Sequence, residues 1–341
     1  MVPHTTDIVI AVDAMGGDHA PAHVVEGALQ ALRTAARPFR VLLVGRRAAL
    51  EAELGRVAPE RALDWEIVDA PQVIEMGEPP NEALKSKKDS SIAVGLRLVR
   101  DSKAGAFVSA GNTGAVLSAS TLILGRLPGV GRPTIGTLFP TAGAPCLLLD
   151  AGASVDCRPR HLFEFGAMGA AYMTTVQGLA RPRIGLLNVG EEEGKGNEAT
   201  QEAYQLFRAS PLEFVGNVEG RDILRGTVDV VVCDGFVGNI ILKFGESVPA
   251  FLKARFKEFA RQSLRGRLIG LVARSALRSV LRDLDYQHHG GVPLLGVNGI
   301  SIIGHGGSTP LAFMNMIFRA EELVRKELPA VIQQQLQSAH A

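Results

Sequence analysis

The chain is poor in large aromatics, with one tryptophan and three tyrosines in 341 residues, and it has only three cysteines. Cys146, Cys157 and Cys233 form an odd set with no Cys-x-x-Cys pair, which argues against a disulfide framework or a cysteine-rich zinc site and suits a reducing compartment. Charge of one sign is also missing: 36 Lys and Arg oppose 35 Asp and Glu, so no global basic field points to a nucleic-acid partner. No stretch reaches the roughly 18 uncharged apolar residues that cross a bilayer, and residues 1–10 lack the basic start and apolar run of a signal peptide. A cytoplasmic location is expected. There is no GxSxG elbow to supply a serine nucleophile and no HExxH or paired-cysteine metal motif, so neither a metal nor a cofactor is expected.

What is present is apolar and glycine-rich: 46% hydrophobic residues and 38 glycines describe a globular chain with many tight turns. The length suits one large α/β unit, 1–341, with room for two lobes around a central cleft. Short apolar runs at 8–13, 40–45, 65–70, 105–111, 183–190, 213–217 and 228–235 alternate with helical patterns. This grammar predicts a mainly parallel sheet covered by helices on both faces. Asp13, Ser109, Asn188, Asp234 and His305 follow such runs, at the carboxyl ends of strands where open α/β sheets bind ligands. The stretch 125–136, rich in glycine and proline, reads as a connection between lobes, and 70–83 as a long loop.

Residues 251–282 carry nine basic side chains against the single acid Glu258. Leu264, Leu268, Leu271 and Val272 keep helical spacing there, so 251–285 reads as a basic amphipathic helix or a hairpin broken near Arg265 and Gly266. Arg261, Arg265, Arg267, Leu268, Leu271, Arg274 and Arg278 are its candidate contacts to an anionic membrane surface or an acidic protein, against the plainer reading of a solvated face.

Five glycine-rich stretches carry candidate chemistry. In DAMGGDHAP, Gly16 and Gly17 lie between a strand end and a helix that Asp18 is suited to cap, an arrangement that exposes backbone N–H groups to an anion. SAGNTGA repeats the device, with Asn112 and Thr113 as caps and oxyanion donors. NVGEEEGKGNEAT places Lys195 between Gly194 and Gly196, with Asn188 before and Asn197 after, a mobile cation beside backbone donors that suits phosphate or a developing thioester oxyanion. CDGFVGN contributes Asp234 and Asn239, and GHGGSTP contributes His305 and Ser308, with Ser308 or Thr309 as a helix cap and Pro310 as first helical residue. For each stretch the plain alternative is a turn whose glycines only reverse the chain. Gly194-x-Gly196-x-x-Ala199 is also a weak variant of the dinucleotide fingerprint and keeps a nicotinamide-dependent dehydrogenase as a rival, while the basic helix keeps a non-catalytic membrane-binding regulator as another.

In order from residue 11 to 308, AVDAMGGDHAP, KKDSSIAVG, SAGNTGA, LDAGASVDC, NVGEEEGKGN, CDGFVGN and GGVPLLGVNG followed by HGGS closely resemble the bacterial phosphate acyltransferases of phospholipid synthesis. The chain departs from the family pattern at Ser154 and Gly307. The resemblance implies a three-layer α/β/α fold like that of the isocitrate/isopropylmalate dehydrogenases and phosphotransacetylases. It also implies transfer of a long-chain acyl group from acyl carrier protein to inorganic phosphate, in the route to phosphatidic acid. A homodimer follows from it too, peripherally associated with the membrane, whose product feeds the membrane glycerol-3-phosphate acyltransferase. Within that frame Lys195, Asn188 and His305 are the expected catalytic residues. Asp13, Gly16, Gly17, Asn112, Thr113, Gly194, Gly196, Asn197, Asp234, Asn239 and Ser308 are the expected substrate contacts.

Overall fold

Strand β1 (Val9–Asp13) divides its side chains between two cores: Ile10 and Val12 enter one and Ala11 the other, all fully buried. β2 (Arg40–Gly45) does the same, Val41 and Leu43 on one face and Leu42 and Val44 on the opposite one, as does β4 (Ala106–Ser109) with Val108 against Phe107. Strands apolar on both faces need helices above and below, which is why these runs show no polar alternation. The computed structural model describes residues 8–57, 62–263 and 290–339.

The first lobe is a seven-stranded sheet. α1 (Ala22–Thr34) joins β1 to β2, and α2 (Arg47–Val57) joins β2 to β3 (Trp65–Asp69). The chain then returns through α3 (Pro80–Ser86) and α4 (Ser91–Arg100) to β4 on the other side of β1, and continues through α5 (Thr113–Ile123) to β5 (Thr134–Ile135). Near the C-terminus β11 (Val292–Leu295) and β12 (Ile300–Ile303) complete the order β3-β2-β1-β4-β12-β11-β5. β11 is antiparallel to both its neighbours, and the rest of this sheet is parallel.

The second lobe is a five-stranded sheet, β6 (Thr137–Phe139), β7 (Cys146–Leu149), β10 (Val230–Val232), β8 (Ile184–Leu187) and β9 (Phe214–Val218) in that spatial order. Only β6 runs against its neighbour. α6 (Pro159–Gln177), α7 (Glu198–Arg208), α8 (Gly220–Arg225) and α9 (Gly235–Arg261) belong to this lobe. α10 (Pro310–Arg325) packs on α1, and α11 (Leu328–Ala339) packs on α6. One hydrophobic core holds Ile10 and Val108 of the first sheet together with Leu147, Leu149 and Val230 of the second, and α6 runs through it.

The α/β layering and the mainly parallel sheet follow the alternation in the sequence; 125–136 leads from α5 into β5 of the first sheet, and the chain crosses to β6 of the other sheet at Gly136. β5 and β6, two and three residues long, are too short to mark themselves, and β7 and β11 fall outside the apolar runs that the alternation picks out. The loop read at 70–83 is cut short by α3, which starts at Pro80.

Candidate functional site

The chain moves outward from β1 to β2 and β3, then returns to place β4 on β1's other side, so the β1/β4 boundary is a topological switch point. Ligands of open α/β sheets bind outside the strand ends at such a point, where the following loops part. Here the loops are those of Asp13 and Ser109. Asp13 is buried, and its Oδ2 accepts the Ser109 hydroxyl at 2.7 Å while Oδ1 accepts the Met15 amide at 3.1 Å. Ser109 Oγ in turn accepts the Gly111 amide at 3.0 Å. Gly16 lies so close that a Cβ there would stand 2.6 Å from Asp13 Oδ2 and 2.7 Å from the Gly111 nitrogen, which explains a glycine at this place. Burial raises the Asp13 carboxyl above its ordinary 3.8, and hydrogen bonds from Ser91 and Ser109 offset part of the rise.

The β12 loop joins this cluster. The Asp18 amide donates to the Gly306 carbonyl at 2.8 Å. His305 is exposed, its Nδ1 accepting the Gly307 amide at 3.1 Å. Ser308 is buried, and Thr309 caps α10 by accepting from Ala312 with Pro310 as first residue. Asn112 caps α5, as its position suggests, accepting the Ala115 amide at 3.0 Å. Its amide nitrogen, however, points at the carbonyls of Glu75, Met76 and Glu78 at 2.9–3.3 Å, so the side chain anchors the 75–78 loop and is not a spare donor. Thr113 beside it is exposed at the helix start. Asp18 does not cap α1: Pro21 stands at that N-cap without a side-chain bond.

The second lobe offers its own strand ends. In the β8–α7 loop Asn188 Nδ2 donates to the Lys195 carbonyl at 3.0 Å, and the Lys195 amide donates to the Glu192 carbonyl at 3.1 Å. Gln201 Nε2 holds the Gly194 carbonyl at 2.7 Å, Gly196 lies against the Asn188 amide, and Asn197 caps α7 through Thr200 at 2.9 Å. The backbone around Lys195 is thus fixed, while its ammonium is half exposed and 4.0 Å from Glu192 Oε1. None of these contacts reaches the Asp13 cluster, so the structure assembles two groups of sequence-selected residues on different lobes.

A third group forms around Asp150, which the sequence reading passed over. Buried at the end of β7, its carboxylate accepts the amides of Gly152 at 3.0 Å, Ala153 at 2.9 Å and Ser154 at 2.7 Å, and of Ile135 in the other sheet at 3.3 Å. The loop it shapes receives the start of α9, where Asp234 caps the helix through the Val237 amide at 2.8 Å and the Gly235 amide donates to Ser154. A Cβ on Gly238 would fall 1.8 Å from the Asp150 carbonyl oxygen, and Asn239 packs on Gly152. CDGFVGN is therefore not a loop of its own beyond Asp234; it is the first turn of a 27-residue helix. The signal available was Asp234 followed by apolar residues at helical spacing. Cys146 and Cys233 are buried and Cys157 half-buried; burial raises the Cys146 thiol to about 12 and the Cys157 thiol to about 11, so neither is primed as a thiolate at neutral pH.

α9 carries the start of the basic segment to Arg261. Arg265, Arg267, Leu268, Leu271, Arg274 and Arg278 lie outside the described residues. Along α9 Phe236, Ile240, Phe244 and Phe251 recur on one exposed face. Among the described residues no helix is long and apolar enough to cross a membrane, and no cluster of three or more His, Cys, Asp or Glu is placed to hold a metal ion.

Comparison with known proteins adds identity to this geometry. The EutD phosphotransacetylase from Staphylococcus aureus superposes with a TM-score of 0.62 over 93% of this chain and 94% of its own, at 15% identity. A branched-chain phosphotransacylase from Enterococcus faecalis gives 0.59 over 93% and 99%, also at 15%; these likenesses show the fold alone. Curated relatives are much closer in sequence. The phosphate acyltransferase of Heliobacterium modesticaldum is 48% identical over 96% of this chain and 97% of its own, and that of Moorella thermoacetica 49% over 94% and 93%. With residues 8–331 also matching the family described as Fatty acid synthesis protein, the chain belongs to that family and is a phosphate acyltransferase.

Proposed function

We propose that this enzyme transfers a long-chain acyl group from the thioester of acyl carrier protein to inorganic phosphate, releasing acyl phosphate and the free carrier protein on the way to phosphatidic acid. The observation that carries this reading is that the chain has both glycine-rich helix entries at the β1/β4 switch point and a half-exposed lysine in a braced loop of the second lobe. Orthophosphate is held at the first group, at the Gly16–Gly17 turn and the start of α5 by Thr113, where helix N-termini favour an anion. Gly194, Gly196 and Asn197 shape the loop that aims Lys195, and Asn188, His305, Ser308, Asp234 and Asn239 border the reacting groups.

The reaction needs no acyl-enzyme. A phosphate oxygen attacks the thioester carbonyl carbon, the carbonyl electron pair moves onto its oxygen, and collapse of that oxyanion breaks the C–S bond. The proton lost by the hydrogen phosphate ends on the departing thiolate. Lys195 stabilises the oxyanion, a contribution of about 100-fold or more in rate for a well-placed donor. The exposed apolar and basic sides of α9 support a peripheral role at an anionic membrane or in a homodimer, since contiguous exposed apolar surface marks an interaction site.

The test is acyl phosphate trapped with hydroxylamine from palmitoyl-acyl carrier protein and phosphate, comparing wild type with Lys195→Ala. Product from wild type and a fall of about 100-fold in the variant support the reading. Equal rates remove Lys195 from it, and product from palmitoyl-CoA alone replaces the carrier protein as donor.

A further inference from the structure

We propose that Asn217 is a positioning residue for Lys195, acting through the Glu192 carbonyl; the inference rests on the role of Lys195 given above. Asn217 lies in β9 beside Leu186 of β8 and is 7% exposed. Its Nδ2 donates to the Glu192 carbonyl at 2.8 Å, and that same oxygen accepts the Lys195 amide at 3.1 Å. The second bond closes the turn Glu192–Glu193–Gly194–Lys195. The first ties the turn's acceptor to the sheet. Asn188 holds the loop's entry, its own amide donating to the Val218 carbonyl of β9 at 2.8 Å; Gln201 and Gln205, which also brace the loop, belong to the helix it leads into, so they move with it. Asn217 comes from 25 residues further along the chain and fixes the loop to a strand that does not.

A second observation separates this side chain from ordinary packing. Its Oδ1 is buried and without a hydrogen-bond partner among the described residues. An amide kept in a buried strand position at the expense of one unpaired acceptor is retained for what its other end does. A valine would suit β9 better and leave no such atom. Among the described residues the ammonium of Lys195 has only a 4.0 Å contact to Glu192 Oε1, so its aim depends on the backbone turn below it. Loosening that turn spreads the ammonium over positions that miss the developing oxyanion, a misplacement of the kind that reduces turnover more than substrate binding.

The experiment is a double-mutant cycle on the full chain, with acyl phosphate formation measured while palmitoyl-acyl carrier protein and phosphate are each varied. Asn217→Ala removes the donor, and Asn217→Val does so with a residue that favours strands, so that one variant folds if the other does not. The expected result is a fall of about tenfold in kcat with KM nearly unchanged, and no further fall when either change is added to Lys195→Ala. Trypsin cleavage after Lys195 is expected to quicken in both variants while the thermal midpoint of the whole chain moves little. A kcat within twofold of wild type overturns the inference, as does a fall that multiplies in full on the Lys195→Ala background. If Lys195→Ala itself keeps the wild-type rate, the failure lies in the role of the lysine, and the positioning role falls with it.

Discussion

The carboxylate of Asp150, at the end of β7 in one sheet, accepts the backbone amide of Ile135 in the other sheet at 3.3 Å while holding Gly152, Ala153 and Ser154 on its own side. One buried side chain thereby couples the two lobes at the point where the chain crosses between them, and it shapes the loop on which α9 begins. Asp150→Ala leaves four amides without this acceptor. Gly152 is exposed and its amide can turn to water, so the expected loss comes chiefly from the buried Ile135 and Ser154 and is about 2 kcal/mol or more in denaturant unfolding, each unsatisfied buried donor costing about 1–3 kcal/mol. A loss below about 1 kcal/mol shows that the amides find other partners.

Gly16→Ala forces a methyl group against the Asp13 carboxylate and the Gly111 backbone nitrogen, at 2.6 and 2.7 Å. Neither neighbour is the free end of a flexible chain. Overpacking of this kind costs about 1–3 kcal/mol, and it pries apart the two loops assigned to phosphate. A raised KM for phosphate in a folded variant checks the assignment; unchanged phosphate kinetics place the anion elsewhere.

Asp13 makes stability depend on pH in a defined sense. Its folded carboxyl binds a proton more tightly than the unfolded chain does, because burial raises it above 3.8. The associated stabilisation is complete below 3.8 and is lost as pH rises through the raised folded value. Asp13→Asn removes that dependence. Urea midpoints measured upward from pH 4 are expected to decline more steeply in wild type than in the variant, and parallel curves exclude Asp13 as the source.

The apolar face of α9 is the surface on which the proposed peripheral role depends. Phe244, 71% exposed, and Phe251, 63% exposed, belong to none of the buried clusters. Phe244→Glu with Phe251→Glu is expected to leave folding intact and to weaken either sedimentation with phosphatidylglycerol vesicles or self-association in ultracentrifugation. Wild-type behaviour in both assays removes this face as an interaction surface.

Much of the fold is written locally. β1, β2, β4, β8, β10 and β12 are short apolar runs ending in polar residues and glycine, and such runs declare buried parallel strands wherever they occur. Thr309 before Pro310, Asn112 before an apolar helix and Asn197 before α7 declare helix starts because capping needs only the adjacent backbone. Asp18 shows where that logic fails: it has the chemistry of a cap, but its backbone is held by Gly306, nearly 300 residues away, and α1 starts after Pro21.

The sequence by itself determined the layered α/β class, the glycine-rich helix entries and the family, since each rests on neighbours within a dozen residues or on an ordered series of motifs. Tertiary structure alone decided that β1 and β4 part at a switch point, that Asn112 donates backward to the 75–78 loop, and that Asp150 and Asn217 brace loops they do not belong to. The physical reason is that hydrogen-bonding side chains are satisfied by whichever backbone groups the packed sheets bring within about 3 Å, and sequence spacing carries no record of those distances.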